Sequence, residues 1–487
     1  MKEYRTTISL LLIFLIISNA IGQNNSILKF DNNGEFKIIQ LTDLHWSQES
    51  PKALETAGLI KHIISIEKPD LAILTGDVVT APPAKIGWLT IAGIFEEAKI
   101  PWTAILGNHD TEAGISGSEI FELLSDFPYF VGEHGPDISG AGNFTLPILN
   151  ADETKTAAAL YCIDSHNKPE MYKYGHYNWI QFDQIEWYRK KSKEYTIENN
   201  HKPIPALAFF HIPLIEYKNV QSKEATVGNK SEGVSSSDIN SGILSSFIDM
   251  KDVMGVFVGH DHNNDFIGIE HDIALAFGRS TGFDAYGKLE RGARVIKLYE
   301  NDFRFDTWIT TLKGTEFKYY FPSGISHEDE ATMTYLPALK NAAKGNHGLK
   351  YNYYEGGSLR KTADIETNAV KKKSGYVNNF TIESALVQDS FAFVFEGLID
   401  IPHRGVYNFY TFSDDGSVLK INDEMVVDND GSHSLRRRDG KVALEEGLHK
   451  IEVIYFENYM GEFLEVGWSG KSIREETIPD HVLYINE

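Results

Sequence analysis

The sequence predicts an α/β domain followed by an all-β module, and two observations indicate this fold class. Between Phe36 and about Leu312, short apolar segments alternate with longer amphipathic ones, which is typical of β-α-β units with both sheet faces covered. After residue 348 the pattern becomes a series of β-rich runs separated by Asp, Asn and Gly turns. The chain has 487 residues, 42% of them hydrophobic, so it is long enough to form more than one core.

The elements follow in chain order. Five apolar strands each end in a polar or glycine-containing segment: FKIIQLTDLH, DLAILTGD, WTAILGNHD, ALAFFHIP and VMGVFVGHDH. The first three are separated by stretches with helical spacing, PKALETAGLIKHIISIEKP and IGWLTIAGIFEEAKI. The stretch RVIKLYENDFRFDTWIT predicts a closing hairpin with its turn at Asn301-Asp302. Residues 111–156 and 216–242 are polar and are predicted to be surface loops around a site.

These patterns predict the boundaries of the domains. The α/β domain is expected over residues 34–312, a linker without strong periodicity over 326–348, and the β-rich module over 349–487. The runs FAFVFEGLIDI, GVYNFYTFS, LHKIEVIYFEN and FLEVGWSG are the predicted strands of the module.

The first 22 residues predict a cleaved signal peptide. Lys2 and Arg5 precede an apolar core at 8–17, and the small residues Ala20 and Gly22 follow it. That core is too short to span a bilayer, although an uncleaved anchor is the alternative. We therefore expect a secreted, periplasmic or cell-surface protein without a transmembrane anchor.

Charge and cysteine content narrow the classes of partner and the sources of stability. The net charge of −23 disfavours nucleic acid as a partner. The single cysteine, Cys162, cannot form an internal disulfide, so an exported chain of this kind must be stabilised by packing, by metals or by both.

Polar side chains of metal-binding type stand at the ends of the predicted strands. The set comprises Asp43, His45, Asp77, Asn108, His109, His211, His260 and His262. In an open α/β sheet, ligand-binding groups gather at the carboxyl ends of the strands. Mixed nitrogen and oxygen donors suit Fe, Mn or Zn, whereas Ca prefers oxygen alone. Each fragment alone has a structural explanation, such as a turn for Gly-Asp, but the ordered set does not.

The ordered motifs D-x-H, G-D, G-N-H-D, H and G-H-x-H resemble those of the calcineurin-like metallophosphoesterase family. The resemblance covers about residues 34–312. It implies a four-layer α/β/β/α sandwich with two mixed sheets and a site for two divalent or trivalent transition-metal ions. The first ion would be bound by Asp43, His45 and His262. The second would be bound by Asn108, His211 and His260, with Asp77 bridging the two.

The same resemblance implies catalytic roles for His109 and Asp110. His109 would contact the phosphate or its leaving group, and Asp110 would help to orient His109. Two metal ions can clamp a phosphoryl group and lower the pKa of a bridging water, so that hydroxide attacks phosphorus. A protonated His109 would then give the leaving oxygen a proton or positive charge.

Three further stretches, SSSDINSG, GHDHNNDF and GRSTGFDAYG, resemble the purple-acid-phosphatase-like branch of this family. In the purple enzymes a tyrosine three residues after the Gly-Asp aspartate binds ferric iron. Thr80 stands there in this chain, so that ligand is missing and the purple colour is not implied. Arg279 and Tyr286 are candidates for substrate contact, because an arginine binds phosphate oxygens well. The alternative is an Arg279 salt bridge and a packed Tyr286 ring.

The C-terminal stretches GVYNFYTFSDDGSVLKINDEMVVDNDGSH and VALEEGLHKIEVIYFEN resemble the PA14 family. That family is a β-sandwich module often attached to secreted glycan-active enzymes, and some members bind sugars through calcium held by paired aspartates. Asp414 and Asp415 match the paired position. The alternative is that S-D-D-G is a tight turn, since aspartate and glycine are good turn formers.

Together these features predict a secreted dinuclear-metal phosphohydrolase, with phosphomonoesters as substrates and carbohydrate as a partner of the module. A phosphodiesterase acting on nucleotides, phospholipid headgroups or phosphorylated glycans is the alternative, because both reactions use the same metal ligands. The non-enzyme alternative is a glycan-binding protein with a structural metal site. His109 argues against it, since no structural role demands this residue.

Overall fold

The computed structural model describes residues 27–223, 225–471 and 473–486. The predicted signal peptide, residues 1–22, lies outside this range. The elements of the N-terminal region are β1 (Glu35–Leu41), α1 (Lys52–Glu67), β2 (Leu71–Thr75), α2 (Ala84–Ala98), β3 (Trp102–Ile105), α3 (Gly117–Leu124), β4 (Phe144–Leu149), β5 (Thr156–Cys162), α4 (Phe182–Glu198), β6 (Ala206–Phe209), α5 (Tyr217–Ser222), α6 (Ile243–Met250), β7 (Val253–Val258), β8 (Ile267–Glu270), β9 (Ile273–Phe277), β10 (Gly292–Tyr299), β11 (Phe305–Thr311), β12 (Gly314–Phe321), β13 (Ile325–Ser326) and α7 (His327–Thr332).

These strands form two mixed sheets. The first has the order β13-β12-β11-β10-β1-β2-β3 and the second the order β4-β5-β6-β7-β9-β8. In the first sheet β1, β2 and β3 are parallel, while β1 and β10 are antiparallel. In the second sheet β5, β6, β7 and β9 are parallel and the outer strands are antiparallel. The predicted hairpin is present, because β10 and β11 pair antiparallel.

The two sheets pack face to face, with helices on their outer faces. Along β5, Leu160 and Cys162 belong to the core that also contains the strands of the first sheet. Their neighbours Ala159 and Tyr161 belong to a second core with Tyr188 of α4. Successive side chains of a strand point to opposite faces, so β5 has one face toward the other sheet and one toward helices. The four-layer α/β/β/α sandwich is therefore confirmed.

The two predicted helices form where their apolar spacing indicates. In α1 the buried side chains include Leu59, Ile60 and Ile63, and in α2 they include Trp88 and Ile91. Apolar side chains three or four residues apart lie on one face of a helix, and that face packs on the first sheet.

The two segments predicted to be loops contain more structure than expected. Residues 111–156 include α3 and β4, and residues 216–242 include α5. β4 is an edge strand in which Phe144, Leu146 and Ile148 are buried and the residues between them are not. This alternation is a strand signal, but the Gly, Ser and Asp residues around it dominate the composition of the segment.

The C-terminal region is a β-sandwich, as predicted. Its elements are β14 (Tyr335–Leu336), β15 (Leu349–Glu355), α8 (Asp364–Asn368), β16 (Val370–Val377), β17 (Phe391–Ile401), β18 (Gly405–Asp414), β19 (Ser417–Ile421), β20 (Glu424–Asn429), β21 (Arg436–Leu444), β22 (Gly447–Glu457), β23 (Phe463–Gly470), β24 (Ile473–Thr477) and β25 (Leu483–Tyr484). One sheet has the order β14-β21-β18-β23-β24, and the other has the order β16-β15-β17-β22-β19-β20 with β25 paired to β17.

The segment 326–348, expected as a linker, connects the two regions through direct contacts. It contains α7 and β14, and β14 pairs in parallel with β21 of the module. Lys441 of β21 contacts Asp329 of α7 at 2.6 Å. Among the described residues, no helix is both long and apolar enough to cross a bilayer.

Candidate metal centre

The predicted ligands lie at the carboxyl-terminal ends of strands in both sheets. Asp43 and His45 follow β1, Asp77 follows β2, Asn108 follows β3, His211 follows β6, and His260 and His262 follow β7. Because the strands of each sheet are parallel at this edge, their ends meet in one place. The two sheets are tied together there, since the Asp43 carboxylate accepts a hydrogen bond from the His260 backbone N–H at 3.1 Å.

The first group of donors consists of Asp43, His45 and His262, whose ligand atoms lie within 4.8 Å of one another. The His262 Nε2 is 3.3 Å from Asp43 Oδ1 and 3.2 Å from His45 Nε2. The His262 Nδ1 lies 3.2 Å from the carbonyl oxygen of Tyr286, to which it can donate. That bond places the proton on Nδ1 and leaves the Nε2 lone pair directed at the group.

The second group consists of Asp77, His211 and His260, again within 4.8 Å of one another. The His211 Nε2 is 3.2 Å from Asp77 Oδ2 and 3.3 Å from His260 Nδ1. The His211 Nδ1 donates to the Thr75 carbonyl at 2.8 Å, which leaves its Nε2 lone pair free for the group.

Asp77 lies between the two groups. Its Oδ2 is 3.2 Å from His211 Nε2 and 3.6 Å from His45 Nε2, so one carboxylate oxygen faces an imidazole of each group. The Asp77 Oδ1 accepts the backbone N–H of His109 at 2.8 Å, which fixes the carboxylate. This position is the one that a bridging ligand requires. The first group has the members predicted for the first metal, and the second combines Asp77 with His211 and His260 of the set predicted for the second metal.

The donors fit a pair of metal ions. In a tetrahedral metal site, two ligand atoms that each lie about 2.0–2.2 Å from the ion are about 3.3 Å from each other. The donor pairs at 3.2–3.3 Å match that spacing. The Asn108 Oδ1 is buried and accepts no hydrogen bond from any residue that the structure describes. A buried amide oxygen without a partner is costly, and a cation would compensate for it.

The electrostatics of the cluster also favour a cation. Burial raises the pKa of the Asp43 carboxyl, but His262 and His211 together lower it to about 2. Burial lowers the pKa of His211, but the Asp77 carboxylate outweighs burial and raises it to about 10. Burial lowers the pKa of His260 to about 3. The two carboxylates therefore attract positive charge to this buried cluster, and bound metal ions would supply it.

The backbone around the ligands adopts sparsely populated conformations. The φ angles of Asp43, His45, Asp77 and His260 are 51°, 44°, 50° and 82°. Such conformations cost energy and occur at functional sites. Gly76 has φ +90°, and a Cβ there would lie 2.3 Å from His211 Nδ1, so glycine is required for both conformation and space.

His109 stands beside the two groups with its side chain 40% exposed. Its ring centroid is 5.7 Å from that of His45. Its Nδ1 contacts Glu112 Oε2 at 2.6 Å, and Glu112 Oε1 accepts from Lys168 Nζ at 2.9 Å. The sequence analysis did not identify Glu112, although its position three residues after His109 was available as a signal.

Asp110, predicted to help orient His109, bonds to the backbone around it and not to its ring. The Asp110 carboxylate is buried and accepts hydrogen bonds from the backbone N–H groups of Val78, Val79 and Gly107 at 2.7–3.0 Å. These bonds hold the loop after β2 against the loop after β3. Burial and the nearby Asp77 charge raise the pKa of Asp110 to about 7. Asp110 therefore fixes the backbone that carries His109, while Glu112 contacts the ring.

The predicted substrate contact of Arg279 is wrong. Arg279 is 2% exposed and forms a buried ion pair with Asp265. Its remaining nitrogens bond the Glu290 carbonyl at 2.8 Å and the Glu316 carboxylate at 3.1 Å. Because its donors are used within the protein, Arg279 stabilises the loop after β9 and does not face the cluster.

Two tyrosines flank the histidines of the G-H-x-H motif. The Tyr286 ring stacks on His262 with 3.9 Å between the ring centroids, and Tyr286 is 57% exposed. The Tyr177 ring packs perpendicular to His260 at 4.5 Å. Tyr286 is thus beside the cluster, where a substrate contact is geometrically open to it. Tyr177 was missed, because nothing in GHYNWI distinguishes it from a packed tyrosine.

A second cluster of acids lies in the C-terminal module. The carboxylates of Asp414, Asp415 and Glu457 have oxygens within 4.8 Å of one another. Asp415 accepts the backbone N–H groups of His433 and Asn458 at 2.8 and 3.0 Å. Burial, followed by the charge of Asp415, raises the pKa of Glu457 to about 8. The paired aspartates also connect β18 to β19, so they form a turn as well as an acidic cluster.

Comparison with known families gives two matches along the chain. Residues 36–264 match the calcineurin-like phosphoesterase family, and residues 345–481 match the PA14 domain. The first match includes all seven predicted metal ligands, and the second includes the acidic cluster of the module.

Curated relatives resemble the N-terminal region. The chain is 36% identical over 315 residues to the Arabidopsis thaliana protein named "Probable inactive purple acid phosphatase 29", across 58% of this chain and 81% of that protein. It is 29% identical over 319 residues to "Phosphatase DCR2" of Saccharomyces cerevisiae, across 58% of this chain and 54% of that protein. Among solved structures, a dimetal phosphatase from Danio rerio matches with a TM-score of 0.42 and 12% identity, across 58% of this chain and 98% of that chain.

Proposed function

The chain belongs to the calcineurin-like phosphoesterase family and carries a PA14 domain, and on this premise we propose that it is a secreted dinuclear-metal phosphohydrolase acting on phosphomonoesters. The observation that supports the proposal most is the position of Asp77 between two groups of carboxylate and imidazole donors, with His109 beside them. Binding of two ions needs a shared carboxylate, and hydrolysis needs a group that can protonate the leaving oxygen.

The proposed ligands would divide between two ions of Fe, Mn or Zn. Asp43, His45 and His262 would hold one ion, Asn108, His211 and His260 would hold the other, and Asp77 would be shared. When bound, the ions supply an activated water and neutralise the charge of the phosphoryl group. Thr80 takes the place of the tyrosine ligand of purple enzymes, so iron in this site is expected without the purple colour.

His109 acts on the leaving group in this proposal. Its Nδ1 is fixed by Glu112, so its Nε2 is the atom left to donate a proton to the leaving oxygen. The backbone N–H of His109 donates to Asp77, which fixes the backbone of His109 beside the proposed bridge. Some relatives carry "inactive" in their names, but this chain retains His109 and all seven donors.

Glu112 is expected to position His109. Glu112→Ala should lower kcat for an aryl phosphate about tenfold to a hundredfold, in the range known for residues that orient a reactive histidine, and leave KM nearly unchanged. Glu112→Gln, which can still accept from Nδ1, should recover part of that loss. Glu122→Ala, an exposed acid on α3, is the matched control. Equal activity of Glu112→Ala and the control would contradict the role.

A substrate panel tests the reaction. The metal-loaded protein should hydrolyse p-nitrophenyl phosphate with a kcat/KM at least about tenfold above that for bis(p-nitrophenyl) phosphate. The reverse preference would favour the alternative, a phosphodiesterase acting on nucleotides, phospholipid headgroups or phosphorylated glycans. No hydrolysis of either ester would favour a glycan-binding protein with a structural metal site.

For the module we propose calcium binding at Asp414, Asp415 and Glu457, with carbohydrate as the partner. Three carboxylates are hard oxygen donors of the kind that calcium prefers. One buried oxygen of Glu457 has no hydrogen-bond partner among the described residues. In the full-length wild-type chain, calcium should raise the temperature at which the module unfolds. It should not raise that temperature in Asp415→Asn. The same shift in both proteins would exclude this site, and a glycan array with and without calcium tests the partner.

A further inference from the structure

Tyr177 lies at the metal cluster without a described partner for its hydroxyl. It belongs to the segment 165–180 that follows β5, at the same sheet edge as His211 and His260. Its half-buried ring stands perpendicular to the His260 ring at a centroid distance of 4.5 Å. Within the described ranges, 27–223, 225–471 and 473–486, its hydroxyl makes no hydrogen bond.

The surroundings of this hydroxyl differ from those of Tyr286. The Tyr286 hydroxyl is 3.2 Å from Glu232 and is thereby occupied. Burial raises the pKa of the Tyr177 hydroxyl, and the charges of Asp261 and Asp77 raise it further. The contact of its ring with His260 places Tyr177 at the second donor group, and its hydroxyl is a donor that no atom of residues 27–223, 225–471 and 473–486 uses.

A phosphoryl group bound at this cluster needs more donors than His109. Its non-bridging oxygens carry negative charge, and hydrogen bonds to charged groups are stronger than neutral ones. The guanidinium of Arg279, the residue expected to supply them, is held in the ion pair with Asp265. A tyrosine hydroxyl is protonated at neutral pH, so Tyr177 can serve as such a donor.

We propose that Tyr177 is a substrate-positioning residue whose hydroxyl donates a hydrogen bond to a phosphoryl oxygen on the His211–His260 side of the cluster. The inference rests on the proposed phosphohydrolase function and adds a contact to it. Its ring packs on His260 and contributes to the shape of the site, whereas its hydroxyl contributes to binding of the phosphoryl group.

The substitution Tyr177→Phe separates these two contributions, because phenylalanine keeps the ring and removes the hydroxyl. With both metals bound, Tyr177→Phe should raise the Kd for inorganic phosphate, measured by calorimetry, about tenfold or more. The kcat/KM for p-nitrophenyl phosphate should fall by a similar factor. Tyr172→Phe is the matched control, because Tyr172 is in the same segment and 73% exposed. The metal content of both variants should equal that of the wild type.

Each outcome decides between the possibilities. Unchanged phosphate affinity in Tyr177→Phe would overturn the proposal, and so would a loss of metal, which would make the residue a support for His260. Weakened phosphate binding in Tyr177→Phe, together with a wild-type protein that hydrolyses no ester, would support the Tyr177 contact and contradict the proposed function. An equal loss in Tyr172→Phe would also overturn the proposal.

Discussion

Replacing Asp77 with asparagine is expected to reduce the bound metal from two ions per chain to one or fewer and to lower ester hydrolysis by about 10²- to 10³-fold or more. Asn has the shape of Asp but only one oxygen and no charge. The Asp77 carboxylate faces His211 at 3.2 Å and His45 at 3.6 Å, so it contacts an imidazole of each donor group. Without its charge, less negative charge would offset the repulsion between two cations in the site.

Elemental analysis measures the metal content, and p-nitrophenyl phosphate is the substrate for measuring hydrolysis. The matched control is Asp252→Asn. Asp252 is also a buried acid, but it precedes β7 at the opposite edge of the sheet and accepts from Tyr161 and Tyr188 at 2.7 and 2.6 Å. The control should retain two ions and its activity. Two ions in Asp77→Asn would contradict the assignment of Asp77 as the shared ligand.

Replacing His109 with alanine is expected to lower kcat for an aryl phosphate by about 10²- to 10⁴-fold, the usual contribution of a general acid. The two metals should remain bound, because the His109 ring lies outside both donor groups and bonds to Glu112. The two measurements together, turnover and metal content, separate a role in catalysis from a role in metal binding.

The loss should also depend on the leaving group. An ester whose leaving group is a weak base needs less protonation, so the deficit of His109→Ala should shrink for it. His134→Ala serves as the control, since His134 is exposed and, among the described residues, its ring hydrogen-bonds to Ser118 of α3 and to the Gly135 carbonyl. Full activity of His109→Ala would remove the proposed general acid, and loss of metal would reassign His109 as a ligand.

The sequence predicted the ligand positions because each one ends an apolar strand. Strand ends of a parallel sheet meet in space, so residues as distant as Asp43 and His262 were expected to come together. The spacing of the last pair does not come from a strand, however. β7 ends at Val258 and His260 has φ +82°, so His260 and His262 lie after the strand and belong to different donor groups.

Contacts that motifs do not encode decide what Arg279, Asp110 and Glu112 bind. Arg279 has the residue type of a phosphate binder, but a buried carboxylate, Asp265, lies within its reach and takes the guanidinium. Asp110 follows His109 directly, but adjacent side chains rarely face each other, and three backbone N–H groups bind it instead. Glu112 lies one turn further along and reaches the ring. Such pairings depend on the local backbone and on residues distant in sequence.

The central claim is that the chain uses two metal ions, shared through Asp77, to hydrolyse phosphate esters. The most direct test removes all metal from the purified protein and returns Fe, Mn or Zn stepwise while hydrolysis of p-nitrophenyl phosphate is measured. We predict that two ions bind per chain and that hydrolysis rises with the second ion and saturates at two. Full hydrolysis with no ion or one ion bound, or two bound ions without any hydrolysis, would contradict the account.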